Sequence, residues 1–243
     1  MKWGTFGPVH LLSLLFAVAL ITGLYYLLKS AKKGVQIAVL GVLSFSGIAA
    51  IIFNLVVWDA PVMYLPLHLC SINALLLPFA VFTRSKTLGN LLLVWSLGAL
   101  AALVMNQAVA EATLTEWTFV FYYFPHILEF GIPILLFRLG LVRKDIRCIG
   151  STIVISMAIY TLVHFTNRSI NFFYQAEQIM YGDSVAHVNY MYSLMPDNPL
   201  LQLFYQVIPH QYWYIYMIVP ILVVYLLAVY APQYICLRKT TKV

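Results

Sequence analysis

Charge is what this sequence has least of. Asp, Glu, Lys and Arg make up 9% of its 243 residues, against 63% hydrophobic, whereas a water-soluble domain carries about 25% charged residues. A single soluble domain is excluded on that ground alone. Acids are scarcer than bases, eight against fourteen, giving a net charge of +6. No basic–aromatic stripe lies outside the apolar runs, so no nucleic-acid partner is expected. Cysteine is also sparse: Cys70, Cys148 and Cys236 are far apart and form no CxxC pair. The topology below sets Cys70 a bilayer away from the other two, and bonded Cα atoms lie only about 4.4–6.8 Å apart. A disulfide framework is excluded, and Cys148 and Cys236 read as packing residues at the inner interface. No HxxxH pair is present to seed a metal site, and no cofactor is expected.

Long apolar runs, by contrast, are abundant. A hydrocarbon core about 30 Å thick needs roughly 20 apolar residues in a helix. Seven runs qualify: 9–28, 35–57, 66–83, 88–109, 117–137, 147–165 and 214–235. The first ends in Lys29-Ser30-Ala31-Lys32-Lys33 rather than a small-residue cleavage site, so it reads as a retained anchor. The connecting loops alternate in sign. Basic loops at 29–33, 84–86, 138–147 and 238–242 alternate with loops holding Asp59, then Glu111 and Glu116, then Glu177, Asp183 and Asp197. Twelve of fourteen bases fall on one side, Lys2 and Arg168 excepted, and the positive-inside rule makes that side cytoplasmic. The expected fold is an all-α, seven-helix membrane bundle with its N-terminus outside and its C-terminus inside. It forms one transmembrane domain over 1–243, in the plasma membrane of a bacterial cell.

Small residues at helical spacing, Ser46 with Ala50 and Gly98 with Ala102, predict close helix packing. The outer loop 166–213 is rich in aromatics. Within it, Leu200, Leu203, Phe204, Val207 and Ile208 share one helical face, with Gln202 and Gln206 opposite. That pattern predicts a short amphipathic helix in the headgroup layer.

Polar groups inside a membrane are costly and usually mark function. Here they gather in the outer half: Asn54, His68, Cys70, Asn73, Asn106, Gln107, His126, Glu129 and His164. Pro66 suits a first helical position, which would place Cys70 one turn into its helix. There the positive end of the helix dipole favours the thiolate nucleophile. Pro125 should kink the fifth run beside His126, and Glu129, three residues on, shares its helical face. A carboxylate there suits a nucleophile–base–orienter set, Cys70–His126–Glu129. Equally, Cys70 could be an inert core thiol, and His126 a packing residue bonded to Tyr122 or Tyr123. Asn54, Asn106 or backbone N–H groups at the start of the third run are the candidate oxyanion donors, and His68, Asn73, His164, Asn189 and Tyr190 complete the candidate substrate and oxyanion set.

The run Leu65-Pro66-Leu67-His68-Leu69-Cys70-Ser71, the Pro125-His126 step and the segment Asn189-Tyr190-Met191-Tyr192 together resemble the YwaF-like integral membrane proteins. That family is similar to eukaryotic multi-pass cysteine/histidine acyltransferases of phospholipids. The resemblance implies a Cys70 nucleophile, a His126 base and a phospholipid or acyl-lipid substrate; it assigns no role to Glu129, His164 or Asn189.

The expected function is therefore lipid acyl transfer, or thioesterase-like hydrolysis, near the outer leaflet. Two alternatives stand beside it. One is a metal-dependent seven-span lipid hydrolase using His126, Glu129 and His164, with His68 or His187. The other is a receptor or transporter, against which stand very short cytoplasmic loops and the absence of paired charges within the spans.

Overall fold

The computed structural model describes residues 2–57, 61–106, 109–113 and 117–240, with only the backbone course for Pro61 and 232–240. Asp59, Gln107, Glu116 and the Cys236 side chain lie outside the described residues. The helices are α1 (Pro8–Leu28), α2 (Lys33–Ser44), α3 (Ser46–Val57), α4 (Leu69–Thr83), α5 (Lys86–Met105), α6 (Phe124–Arg138), α7 (Cys148–Ala176), α8 (Pro199–Val207) and α9 (Val219–Thr240). A two-strand hairpin, Met180–Tyr181 with Ser184–Val185, follows α7.

Six of the described helical stretches are long and apolar enough to cross a membrane: Pro8–Leu28, Lys33–Val57, Lys86–Met105, Phe119–Arg138, Cys148–Ala176 and Tyr214–Ala231. The chain is a polytopic all-α membrane protein. The third expected run is shorter than its hydropathy suggested. α4 starts at Leu69, not Pro66, and has 15 residues, so at 1.5 Å per residue it is about 22 Å long. Proline biases the residue before it away from the helical region. Pro61–Tyr64 accordingly form a separate 3-10 turn, and Leu67 N–H turns back to the Leu65 carbonyl at 2.7 Å. α7 deviates in the other direction, running on to Ala176 past the expected end at 165. Polar side chains end hydropathy there, but they do not end backbone hydrogen bonding.

The chain forms two compact units, Met1–Val57 with Leu69–Cys148, and Trp58–His68 with Ile149–Val243. In the first, α4, α5 and α6 form the centre, flanked by α1, α2 and α3. The two-residue link Arg84-Ser85 makes α5 antiparallel to α4, and α6 runs back parallel to α4. The N-terminal strap closes one end of this unit. Trp3 N–H donates to the Ala112 carbonyl, Lys2 bridges to Thr113, and the Lys2 ammonium lies 2.5 Å from Glu111. That contact holds the Glu111 carboxyl below its ordinary range. Lys86 and Asp145, 2.6 Å apart, tie the loops at the opposite end.

In the second unit, α7 carries a polar stripe against the loop 186–198. Asn167 donates to the Tyr190 carbonyl and the Ser193 hydroxyl and accepts from Tyr190 N–H. Asn171 pairs with both main-chain groups of Val188. The amphipathic helix is present as α8, capped by Asn198. Its apolar arc is divided: Leu201 and Phe204 bury themselves against Tyr214, whereas Leu203 and Val207 face outward, 55% and 60% exposed.

Candidate active site

Proline spacing shapes the helices that carry the polar cluster of the first unit. α4 contains Pro78 and α6 contains Pro133. Proline has no N–H to give the residue four back, so the carbonyls of Ala74 and Glu129 lose their helical partners. Before α6 the backbone widens into one π-helical turn, Phe119–Tyr123. This accommodates Pro125 and sets the direction of His126; such turns occur often at functional sites.

Cys70 is the second residue of α4. Correcting the helix start from Pro66 to Leu69 moves its sulfur from the second turn into the first, nearer the unpaired N–H groups and the positive end of the dipole. Cys70 is half-buried and carries a free thiol. Ser71 reaches it with a hydrogen bond. Gly98 on α5 makes room for this helix end, since a Cβ there would stand 3.0 Å from the Leu69 side chain.

His126 is half-buried. Its Nδ1 lies 2.7 Å from the Tyr122 carbonyl, and its ring sits 4.5 Å from the Tyr122 ring. A carbonyl only accepts, so the proton is on Nδ1 and Nε2 carries the free lone pair, the tautomer a general base needs. The group that fixes the ring is thus the Tyr122 main chain. Glu129 stands within electrostatic reach of both His126 and Cys70.

One turn deeper lies a second pair. Asn73 follows Cys70 by three residues, as Glu129 follows His126, so each shares its neighbour's helical face. Asn73 is 1% exposed and Glu129 4%. Both amide atoms of Asn73 and Oε2 of Glu129 have no hydrogen-bond partner among the described residues. α3 closes over this pair at Gly47, where a Cβ would meet the Ala74 Cβ at 2.5 Å and Glu129 Oε1 at 3.0 Å. The close approach expected at Ser46 falls one residue later, at Gly47. Asn54 lies on the same face of α3, two turns further out.

The other candidates part from this cluster. Asn106 is engaged at the strap: its two amide hydrogens go to the Gly4 carbonyl and the Tyr123 hydroxyl, and its oxygen accepts from Thr5. It is the staple of the N-terminal strap. Asn189 is likewise engaged, donating to the Met195 carbonyl and Asp197 and accepting from Leu194 and Met195 N–H. These bonds shape the loop. Tyr190 donates its hydroxyl to the Val62 carbonyl, and burial raises its phenol to about 12, so it stays a donor. His164 rests on Ser193 at 3.2 Å and on the Tyr212 ring. His68 accepts from Met191 N–H at 3.3 Å and packs between Tyr190 and Tyr192. The contacts of these five tie strap, loop and helix to one another. Asn167, Asn171 and Gly47 escaped the sequence reading. The first two had a signal, since with Tyr160 and His164 they form a polar stripe at three- and four-residue spacing.

Among the described residues, no three or more His, Cys, Asp and Glu side chains gather closely enough to hold a metal ion. No curated protein and no solved structure matches the chain. The TMEM164 family model matches residues 5–230, nearly the whole length, and the chain therefore belongs to the TMEM164 family of multi-pass membrane proteins.

Proposed function

We propose that the protein is a lipid acyltransferase with Cys70 as nucleophile and His126 as base. One observation supports this reading: a first-turn cysteine and a histidine whose Nε2 has no partner among the described residues lie on adjacent, parallel helices, next to buried Asn73 and Glu129 with three side-chain atoms unbonded among the described residues. The expected third crossing is α4, with the N-terminal strap on the outer side. At about 22 Å it starts roughly 8 Å inside the outer edge of a ~30 Å hydrocarbon core. Non-helical backbone at that depth is tolerated where it lines a site.

In the first half-reaction His126 Nε2 takes the Cys70 proton and the thiolate attacks a phospholipid ester carbonyl. The carbonyl oxygen becomes an oxyanion, held by backbone N–H groups at the start of α4. Collapse breaks the ester C–O bond, and the lysolipid oxygen takes the proton from His126. In the second half-reaction His126 deprotonates an acceptor hydroxyl, which attacks the thioester; the C–S bond breaks and the Cys70 sulfur takes the proton back from His126.

The test is transfer of a labelled acyl chain between lipids in vesicles carrying the purified protein. Cys70→Ala and His126→Ala should abolish transfer while both proteins keep wild-type melting temperatures. Full transfer by either variant would reject the mechanism.

A further inference from the structure

The cluster holds more polar groups than a nucleophile and a base require. Asn73 and Glu129 are each at least nine-tenths buried, on contacting helices, with three side-chain atoms lacking any partner among the described residues. Unpaired buried polar atoms are costly, so a membrane protein that keeps two such side chains together has a use for them. Helical side chains lean toward the N-terminus of their helix. α4 and α6 run in parallel, so from one turn below, Asn73 and Glu129 lean back toward the level of Cys70 and His126. Gly47 keeps α3 close enough to seal this layer.

We infer that Asn73 and Glu129 form the side-chain half of an oxyanion hole for the lipid ester, with Glu129 acting as a neutral carboxylic acid. This rests on the acyl-transfer reading and extends it. An ionised Glu129 would be acceptor-only and would repel the oxyanion, yet among the described residues no donor reaches Oε2. The His126 Nδ1 proton is directed at Tyr122. As an acid, Glu129 offers one O–H donor and Asn73 two N–H donors. Both side chains stay unpaired until the carbonyl oxygen arrives, and their bonds strengthen as charge builds on it, so they favour the transition state over the ground state. Buried carboxylic acids kept neutral to donate to an oxyanion are known enzyme devices.

Glu129→Gln distinguishes donor from anion, because the amide keeps a donor and cannot ionise. The expected result is that Glu129→Gln keeps the rate of Cys70 thioester formation within about tenfold. Glu129→Leu and Asn73→Leu should each lose about 10²–10³-fold in kcat, with KM for lipid little changed. Infrared spectroscopy of the purified wild type should show a protonated-carboxyl C=O band that shifts in D2O and is missing from Glu129→Gln. A Glu129→Gln protein as inactive as Glu129→Leu, or a wild type without the band, overturns the donor role. Wild-type protein that forms no Cys70 adduct overturns the acyl-transfer reading itself and the oxyanion role with it.

Discussion

Two polar clusters in this protein look alike in sequence and differ in how their bonds close. In the second unit, His164, Asn167, Asn171, Asn189, Tyr190 and Ser193 interlock through hydrogen bonds of 2.8–3.3 Å. In the first, Asn73 and Glu129 sit equally deep with atoms that bond nothing among the described residues, beside a histidine whose Nε2 is free. A satisfied polar network fixes a fold, whereas an unsatisfied one in a dry setting marks chemistry. Intramembrane polarity alone does not separate the two. The bonds do.

The comparison breaks if the two clusters respond to substitution in the same way. The largest contrast is expected between His126→Ala and Asn167→Ala. The first should remove turnover and leave melting unchanged. The second removes the acceptor of the buried Tyr190 N–H and one partner each from the Tyr190 carbonyl and the Ser193 hydroxyl, at about 1–3 kcal/mol for the orphaned N–H. It should lower the melting temperature by several degrees and the yield of folded protein, while folded molecules keep their turnover. Thermal denaturation in detergent beside the vesicle assay checks both.

Next comes Gly47→Ala. Its Cβ would stand 2.5 Å from the Ala74 Cβ, and both partners are helix-borne, so α3 must move away from α4 and Glu129. Activity should fall by at least tenfold with a modest loss of stability; a fully active variant would show that the α3 contact is dispensable. Asn73→Leu should do the reverse of Asn167→Ala, leaving melting unchanged or raised because it removes orphaned polar atoms, while activity falls. The smallest effect is expected at the strap. Lys2 holds Glu111 ionised, so any stability from this pair is present above the ordinary carboxylate range and lost as pH falls through the depressed one. Both side chains are exposed, so Glu111→Gln should change melting little at neutral pH and not at all in acid.

Much of this was legible in the sequence. Apolar runs located the six stretches long enough to cross a membrane, polar residues inside the runs drew attention to Cys70, His126 and Glu129, and α8 followed from its apolar arc. What was not legible depended on partners. An asparagine near a span end reads the same whether it bonds a strap, as Asn106 does, or bonds nothing among the described residues, as Asn73 does. The start of α4 was misplaced because Pro66 is compatible with a first helical turn and equally with an extended approach. α7 ran eleven residues past its expected end because hydropathy reports lipid contact while the backbone follows hydrogen bonding. Gly47 drew no notice because a glycine inside a span shows its use only when α4 and Glu129 are seen against it.

The most direct test of the central claim is intact-mass spectrometry of the purified protein after incubation with phospholipid vesicles, beside Cys70→Ala. The account predicts a hydroxylamine-sensitive acyl adduct on the wild type and none on the variant, with its mass giving the chain transferred. An equal adduct on both proteins, or none on the wild type while acyl transfer proceeds, would contradict Cys70 as the nucleophile.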